Sequence, residues 1–397
     1  MLADDDHREI GRRLDLFHFQ EEAPGMVFWH PRGLALYRML EGVIQRHVRR
    51  DGFLEVRTPQ VLRRSVWETS GHLRHAGQHM FLTGEGKDAS AIKPVSCPGH
   101  MELFKHRSVS YRELPVRYAE LGVVHRDEPS GTLHGLFRLR QFTQDDGHIF
   151  CEGEHVAAEI ERFARSLEEL YAALGFAKLE VWFASRPDDR EGSDAVWDRA
   201  EALLLQSAKR AGLSPKPAPK SGAFYGPKLE FTLADRLGRS WQCGTIQIDL
   251  VLPERFDVES VTRSGGRARP VLLHRATLGS LERFLGVLLE HHANELPPWL
   301  APEQAAVLPV TASDREYGAR VAGELSDAGV RVRLDDRDES LSKKVLASHE
   351  AASAFVLVVG PREAASETVS LRDGAHQRSL PLARAISEIA RASALPI

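Results

Sequence analysis

The sequence predicts an α+β fold built on an antiparallel sheet flanked by helices, followed by a small α/β domain with a mostly parallel sheet. Three observations carry this reading. Between residues 115 and 251 alternating apolar and polar residues mark strands in hairpin-like succession, with helices set apart from them. A proline-rich stretch without periodicity, NELPPWLAPEQ at 294–304, then interrupts the chain. Beyond it short apolar strands alternate with helical stretches, the pattern of a buried parallel sheet. A chain of 397 residues exceeds one ordinary core. The expected division is a first domain over 1–293, a linker over 294–304 and a second domain over 305–397.

In order along the chain, Leu36, Leu40, Val43, Ile44 and His47 recur at helical spacing over 34–50, and Gly52 supplies a stop. FLEVRTPQVL follows as a short extended segment that Pro59 ends or edges. Strands are expected at 115–125, 136–144, 179–185, 228–234 and 241–251. A helix over 154–174 places Val156, Ile160, Phe163, Leu167, Leu170 and Leu174 on one face, closed by Gly175. KPAPK at 216–220 reads as a loop. RPVLLHRATLGSLERFLGVLLEHH is a strand that turns at 276–279 and enters an amphipathic helix. After the linker, AAVLPV, VRVRLDD and AFVLVVG are strands separated by helices near 313–328 and 341–351, and no GxGxxG follows any of them.

Composition narrows the function. Apolar residues at 42% and charged residues at 27% describe a globular chain with a sizeable core. Fifty-two basic against 56 acidic residues give −4, so any contact with nucleic acid must use local clusters. Cys97, Cys151 and Cys243 form no CxxC pair, which argues against a disulfide framework and fits a reducing compartment. The start is charged, without an apolar signal region, and no run approaches the length of a membrane span. A cytoplasmic protein with no membrane partner is expected.

The stretch VVHRDEPSGTLHGLFRLRQFTQDDGHIF, 123–150, concentrates chemistry. Arg126 at the end of one strand and Arg138 at the start of the next could grip a polyphosphate together, since guanidinium pairs bidentately with phosphate oxygens. Solvated arginines on a turn are the plainer reading of the pair taken alone. Glu128 could accept from an exocyclic amine and Phe142 could stack on a flat base. Asp146 and His148, two apart, share a strand face, and His148 could bind a metal.

HRDEPSGTLHGLFRLRQFTQDDGHIF resembles motif 2 of class II aminoacyl-tRNA synthetases, specifically of the threonyl-tRNA synthetase family. DGFLEVRTPQVL is similar to motif 1, the dimer-forming helix and strand, and GSLERF to motif 3 with Arg283. EEAPGMVFWH, SCPGHMELF, GSDAVWDRAE, FYGPKLEF and WQCGTIQIDL also look like family blocks, spread over residues 7–292. The resemblance implies a class II synthetase sheet followed by an anticodon-binding domain, and a homodimer that joins L-threonine to threonine tRNA at the expense of ATP with Mg²⁺.

It also implies roles for single residues. Arg126 would hold the α-phosphate and the amino-acid carboxylate, Arg283 the γ-phosphate, and Arg138 would add charge neutralisation. Glu128 would read the adenine amine and Phe142 would stack on the ring, with Gln242 and Thr245 completing the nucleotide site. Cys97, His148 and His274 match three zinc ligands. One thiolate with two imidazoles suits Zn²⁺ and leaves coordination open for substrate. Asp146 would take the substrate amine and hydroxyl, with Gln144, Tyr225, Lys228, Gln242, Gln247 and Ser280 around it. His72 in TSGHLR would act near the ribose 2′-hydroxyl, and Lys344, Glu363 and Arg372 would meet tRNA.

The chain departs from the family pattern in places. Val95 and Ser96 stand where Met-Asn is usual, Asp338 where an asparagine is expected, and the basic run after Arg372 thins to DGAHQR. Full-length bacterial members carry amino-terminal domains, one of them hydrolysing seryl-tRNA, whereas this sequence begins almost at the synthetic core, so no editing in cis is expected. Two other readings are a paralogue that activates threonine or an analogue for a non-tRNA acceptor or a resistance role, and a catalytically inactive RNA-binding regulator. The second is disfavoured because Arg126, Arg283, Glu128 and the three metal-ligand positions are all present. Serine keeps the hydroxyl and lacks one methyl, a difference worth about 1–3 kcal/mol. Seryl-adenylate is therefore expected with excess serine, and its absence in an adenylate-formation assay would contradict the reading.

Overall fold

The computed structural model describes residues 3–176, 178–293, 295–374 and 376–396. They pack as two compact units, one of Phe19–Val27 with Leu40–Val287 and one of Met1–His18, Phe28–Met39 and Leu288–Ile397.

The larger unit is organised by eight strands: β1 (Leu54–Glu55), β2 (Val116–His125), β3 (Gln141–Cys151), β4 (Leu179–Ala184), β5 (Lys216–Ala218), β6 (Lys228–Ala234), β7 (Ser240–Asp249) and β8 (Val271–Ser280). Their order is β5-β4-β6-β7-β8-β3-β2-β1. Only β4 with β5 and β1 with β2 run parallel; the six central strands are antiparallel throughout. The strand expected at 136–144 begins instead at Gln141, because Arg140 N donates to Gly25 O and His134 bridges Arg138, which holds 134–140 in a turn. It continues to Cys151 through QDDGH, whose polar residues mask the usual apolar alternation. KPA of the expected loop at 216–220 is the edge strand β5.

Helices cover the sheet unequally. α1 (Pro31–Arg50), α2 (Cys97–Lys105), α3 (Val156–Ala173), α4 (Asp194–Arg210) and α5 (Leu281–His292) are the long ones in or entering this part of the chain. α3 buries Ile160, Phe163, Leu167 and Leu170, and Phe163 meets Phe231 of β6 edge-on at 5.5 Å. A β-carbon at Gly244 of β7 would sit 2.7 Å from Leu167, so glycine there admits the helix. On the opposite face α2 packs Met101 and Phe104 against Tyr118, Phe150 and Leu272, with Phe104 stacked on Phe150 at 4.2 Å. That helix covers one end of the strands and leaves the rest of the face open.

The smaller unit carries β9 (Ala305–Pro309), β10 (Val332–Leu334), β11 (Phe355–Val359), β12 (Thr368–Asp373) and β13 (His376–Pro381) in the order β10-β9-β11-β12-β13. The three strands read from the sequence are parallel. Two further antiparallel strands complete the sheet. Only Leu380 of β13 is buried, so that strand has no apolar alternation to announce it. α6 (Arg315–Asp327), α7 (Leu341–Glu350), α8 (Pro361–Ser366) and α9 (Leu382–Ser393) surround the sheet. Residues 295–304 hold no helix or strand, yet Leu300 to Gln304 are buried, and Arg331 Nη2 donates to Trp299 O and Ala301 O at 2.8 Å each. The amino-terminal segment belongs to this unit as well: His7 Nδ1 lies 2.6 Å from Glu290 Oε1 and Phe17 pairs with Trp29. Among the described residues no helix is long and apolar enough to cross a membrane.

The turn into β6 tests the packing of the sheet. A β-carbon on Gly226 would lie 1.9 Å from the carbonyl oxygen of Ile248, a backbone atom held in β7. Gly226→Ala is expected to lower unfolding free energy by about 3 kcal/mol; an unchanged urea midpoint would contradict this.

Candidate active site

Side chains in one register row of an antiparallel sheet point to the same face. Lys228, Gln247, His274, His148 and Tyr118 form one such row across β6, β7, β8, β3 and β2. Glu230, Thr245, Ala276, Asp146 and Glu120 form the next. The open face above them holds two adjoining cavities. The smaller, about 140 Å³, is lined by Cys97, Asp146, His148, Tyr225 and His274 among others. The larger, about 520 Å³, is lined by Glu128, Arg138, Phe142, Gln242, Ser280 and Arg283, and Lys228 also borders it. Arg126, Gln144, Thr245, Gln247 and Ala276 belong to both.

The smaller cavity fits a cation by its donors. One ligand atom each of Cys97, His148 and His274 lie within 4.8 Å of one another, and all three residues are buried. Proton positions follow from the ends of the chain of hydrogen bonds. Glu120 accepts from Thr58 N and from Lys93. Burial alone would push its carboxyl up, but bonds from His100, Lys93 and Thr58 outweigh that and bring it down to about 2. A carboxylate only accepts, so His100 Nε2, 3.1 Å away, carries a hydrogen. His100 Nδ1 then accepts from His148 Nδ1 at 2.8 Å, which leaves a lone pair on His148 Nε2. From the other side Asp249 Oδ1 accepts from Val251 N and Leu252 N, and Oδ2 accepts from His274 Nε2 at 2.8 Å. A lone pair is left on His274 Nδ1, and the two bare nitrogens face each other at 3.0 Å. Such a contact is repulsive unless a proton or a metal sits against it. Burial, and then the neighbouring His100 and His274, hold His148 well below the usual imidazole range, which disfavours a proton on that ring. Burial likewise pushes the Cys97 thiol up, as it would for any thiol kept away from a cation. The donor set of one sulfur and two imidazole nitrogens, each ring oriented by a further partner, fits Zn²⁺.

The rest of the small cavity is short of donors. Asp146 Oδ2, Gln144 Oε1 and Gln247 Oε1 are buried without a well-formed hydrogen bond among the described residues, and burial raises the Asp146 carboxyl against the lowering effect of the nearby Ser96 hydroxyl. Three such acceptors call for a ligand that brings N–H and O–H groups. Tyr225 closes the cavity with its ring 4.8 Å from that of His274.

The larger cavity is cationic. The Arg126 guanidinium lies 5.0 Å over the Phe142 ring, its Nε donates to Pro94 O at 3.3 Å, and its pKa is lowered chiefly by burial. Arg138, with its side chain 53% exposed, reaches Glu128 at 2.9 Å. Arg283 sits in the first turn of α5, its N donating to Ser280 Oγ at 3.1 Å, and its buried Nε has no partner among the described residues.

Comparison with known proteins gives the family of the chain. Residues 81–292 match the tRNA synthetase class II core domain (G, H, P, S and T) and residues 304–391 the anticodon binding domain. A threonine–tRNA ligase of Gluconacetobacter diazotrophicus is 51% identical over 395 residues, 98% of this chain and 62% of the relative. That of Acidiphilium cryptum is 50% identical with the same coverage. A crystal structure described as the RNA binding domain of threonyl-tRNA synthetase from Cryptosporidium parvum superposes with a TM-score of 0.94 at 39% identity, covering 97% of this chain and 98% of that one. The chain belongs to the threonyl-tRNA synthetase family. It spans 62% of the length of the first curated relatives it matches.

Two expected residues are placed differently from the family reading of the sequence. His72 is 5% exposed, edge-on to Trp67 and Phe224, and burial lowers its pKa to about 3. It lines neither cavity, so direct proton transfer to a bound group does not follow from its position. Lys344 is 4% exposed, with its ammonium donating to Pro309 O at 2.9 Å, an internal bond and not a free phosphate contact. In the anticodon-binding unit Arg372 Nε donates to Gln377 Oε1 at 3.1 Å and Glu363 Oε2 caps Gly360 N. The sequence reading missed the synthetase site's inner support: Lys93, Thr58, His100, Glu120 and Asp249. His100 lies three residues after Cys97 in SCPGH, and Asp249 lies at the i+2 spacing after Gln247; these were the available signals.

Lys93 and Glu120 are an ion pair at 2.8 Å with side chains 1% and 3% exposed. Lys93→Met strands a buried carboxylate and is expected to cost about 3–5 kcal/mol. Urea denaturation would measure the loss, and a change below 1 kcal/mol, roughly the worth of a surface pair, would refute it.

Proposed function

We propose that this chain activates L-threonine with ATP and passes it to the 3′ end of threonine tRNA. The observation that carries the proposal is a small cavity of unpaired acceptors and converging imidazole lone pairs, sharing one arginine with a larger cationic cavity. The first suits an amino acid bearing ammonium and hydroxyl groups, the second a nucleotide. Cys97, His148 and His274 would hold Zn²⁺, which when bound supplies a Lewis-acidic partner for the amine and hydroxyl of the substrate. Valine, isosteric but without the hydroxyl, would leave unpaired whichever of these buried acceptors the threonine hydroxyl satisfies, and buried polar groups left so discriminate strongly.

In the first step a carboxylate oxygen of threonine attacks the α-phosphorus, the bond to the bridging oxygen breaks and pyrophosphate leaves. Negative charge grows on the α-phosphate oxygens, and Arg126, lining both cavities, is fixed where that charge develops. Arg283 would take the γ-phosphate and Arg138 would add charge neutralisation, while Mg²⁺ bound with ATP would supply further neutralising charge. Phe142 and Glu128 receive the base, while Gln242, Thr245, Lys228 and Ser280 border the nucleotide. In the second step a ribose hydroxyl of the tRNA attacks the acyl carbon and AMP leaves. Glu363 and Arg372 would read the anticodon.

A homodimer through the motif 1 stretch is part of the proposal, supported by the exposure of Leu54 and Val61, 57% and 51%, on that stretch. Three buried free thiols support a cytoplasmic setting.

Pyrophosphate exchange is expected with threonine, less with serine and essentially none with valine, and to be lost on removal of metal by chelator and regained with zinc. Arg126→Ala should lower exchange by about 10²–10³. Exchange with valine equal to that with threonine, or full activity without metal, would overturn the proposal.

A further inference from the structure

Asp145 and Asp146 are neighbours on β3 and so face opposite sides of the sheet. Asp146 enters the small cavity. Asp145 is 2% exposed on the other side, with no part in the lining of either cavity. What surrounds it is the place where β8 leaves its ladder with β3. Ala276 pairs with Asp146, and the next paired residue, Ser280, faces Gln144. Three residues of β8 therefore oppose the single residue Asp145. Its carboxylate takes the amides of all three: Oδ2 accepts from Thr277 N at 2.7 Å and Leu278 N at 3.1 Å, and Oδ1 accepts from Gly279 N at 2.8 Å. Gly279 has φ +78°, a backbone that glycine adopts without strain. Arg275, 3% exposed, stands 3.6 Å from the same carboxylate and supplies positive charge.

The bulge leads directly into the nucleotide site. Ser280 Oγ accepts from Arg283 N and donates to Glu282 Oε2, and Glu282 in turn accepts from Thr143 N at 3.0 Å. Two buried carboxylates, one on each side of Ser280, thus tie the β8–α5 junction to β3. The pairs Asp146 with Ala276 and His148 with His274 lie on the far side of the bulge and are held by ordinary ladder register.

We propose that Asp145 is a positioning residue for the nucleotide cavity: by holding 277–279 in the bulge it sets Ser280 and Arg283 against the bound triphosphate, while leaving the amino-acid cavity to the regular ladder. The proposal rests on the nucleotide reading of the larger cavity. Direct calorimetric titration of the full chain with ATP and Mg²⁺ tests it apart from threonine activation, since nucleotide affinity is read even if no pyrophosphate exchange occurs. Asp145→Asn is expected to weaken ATP binding roughly tenfold, the effect of losing one charge-assisted bond, with zinc content and the threonine KM unchanged. In an Arg283→Ala background the same substitution should weaken ATP binding clearly less than tenfold. Equal weakening of ATP and threonine, or an undiminished effect without Arg283, would overturn the proposal. Should Asp145→Asn fail to fold, Gly279→Ala strains the bulge with Asp145 in place and its β-carbon 3.3 Å from Cys243 O. The same separation of ATP from threonine is expected there, and unchanged ATP affinity would overturn the proposal.

Discussion

The structure turns on two imidazoles in register. His148 and His274 stand opposite each other on β3 and β8, and partners at both ends of the hydrogen-bond chain orient bare nitrogens toward one another. Those partners are charged or amide-bonded, and they are deep. A buried carboxylate that must accept hydrogens from Thr58, Lys93 and His100 leaves His100 only one tautomer, and that choice passes to His148. The cluster near the metal-ligand set is therefore costly to build and is stable only as a complete network, since loss of any member strands a charge or a lone pair.

The same constraint explains the division of the sheet face. α2 begins at Cys97, which brings the thiol to the imidazoles, and continues by packing Met101 and Phe104 over Phe150. Apolar cover at one end and unpaired acceptors at the other make one face serve as both core and site. Arg126 borders both the amino-acid side and the nucleotide side, so one guanidinium serves the two cavities.

Much of this was legible in the sequence. Several strands between 115 and 251, such as Val116–His125 and Lys228–Ala234, announce themselves by alternation, and Gln144, Asp146 and His148 share a face at a spacing of two. The resemblance to class II motifs carried Cys97, His274 and Arg283, which no local spacing would have joined. What stayed hidden has physical reasons. Lys93, Glu120 and His100 look like ordinary surface residues until folding buries them, and charged pairs far apart in sequence leave no periodic trace. β13 is exposed along most of its length, so its amide ladder, and not its side chains, makes it a strand. The beginning of Gln141–Cys151 was misplaced because its turn is fixed by Gly25, a partner over a hundred residues earlier.

The adjacency of Asp145 and Asp146 has a consequence for how the molecule reaches its final form. A slip of β3 by a single residue would exchange the two aspartates between faces and swing His148 away from its partner. Nearly identical chemistry would then point the wrong way, into packed helix instead of open cleft. Capture of an ion by the three donors would thus be available only to a correctly threaded sheet, and it would reward that one alignment over its neighbours during assembly.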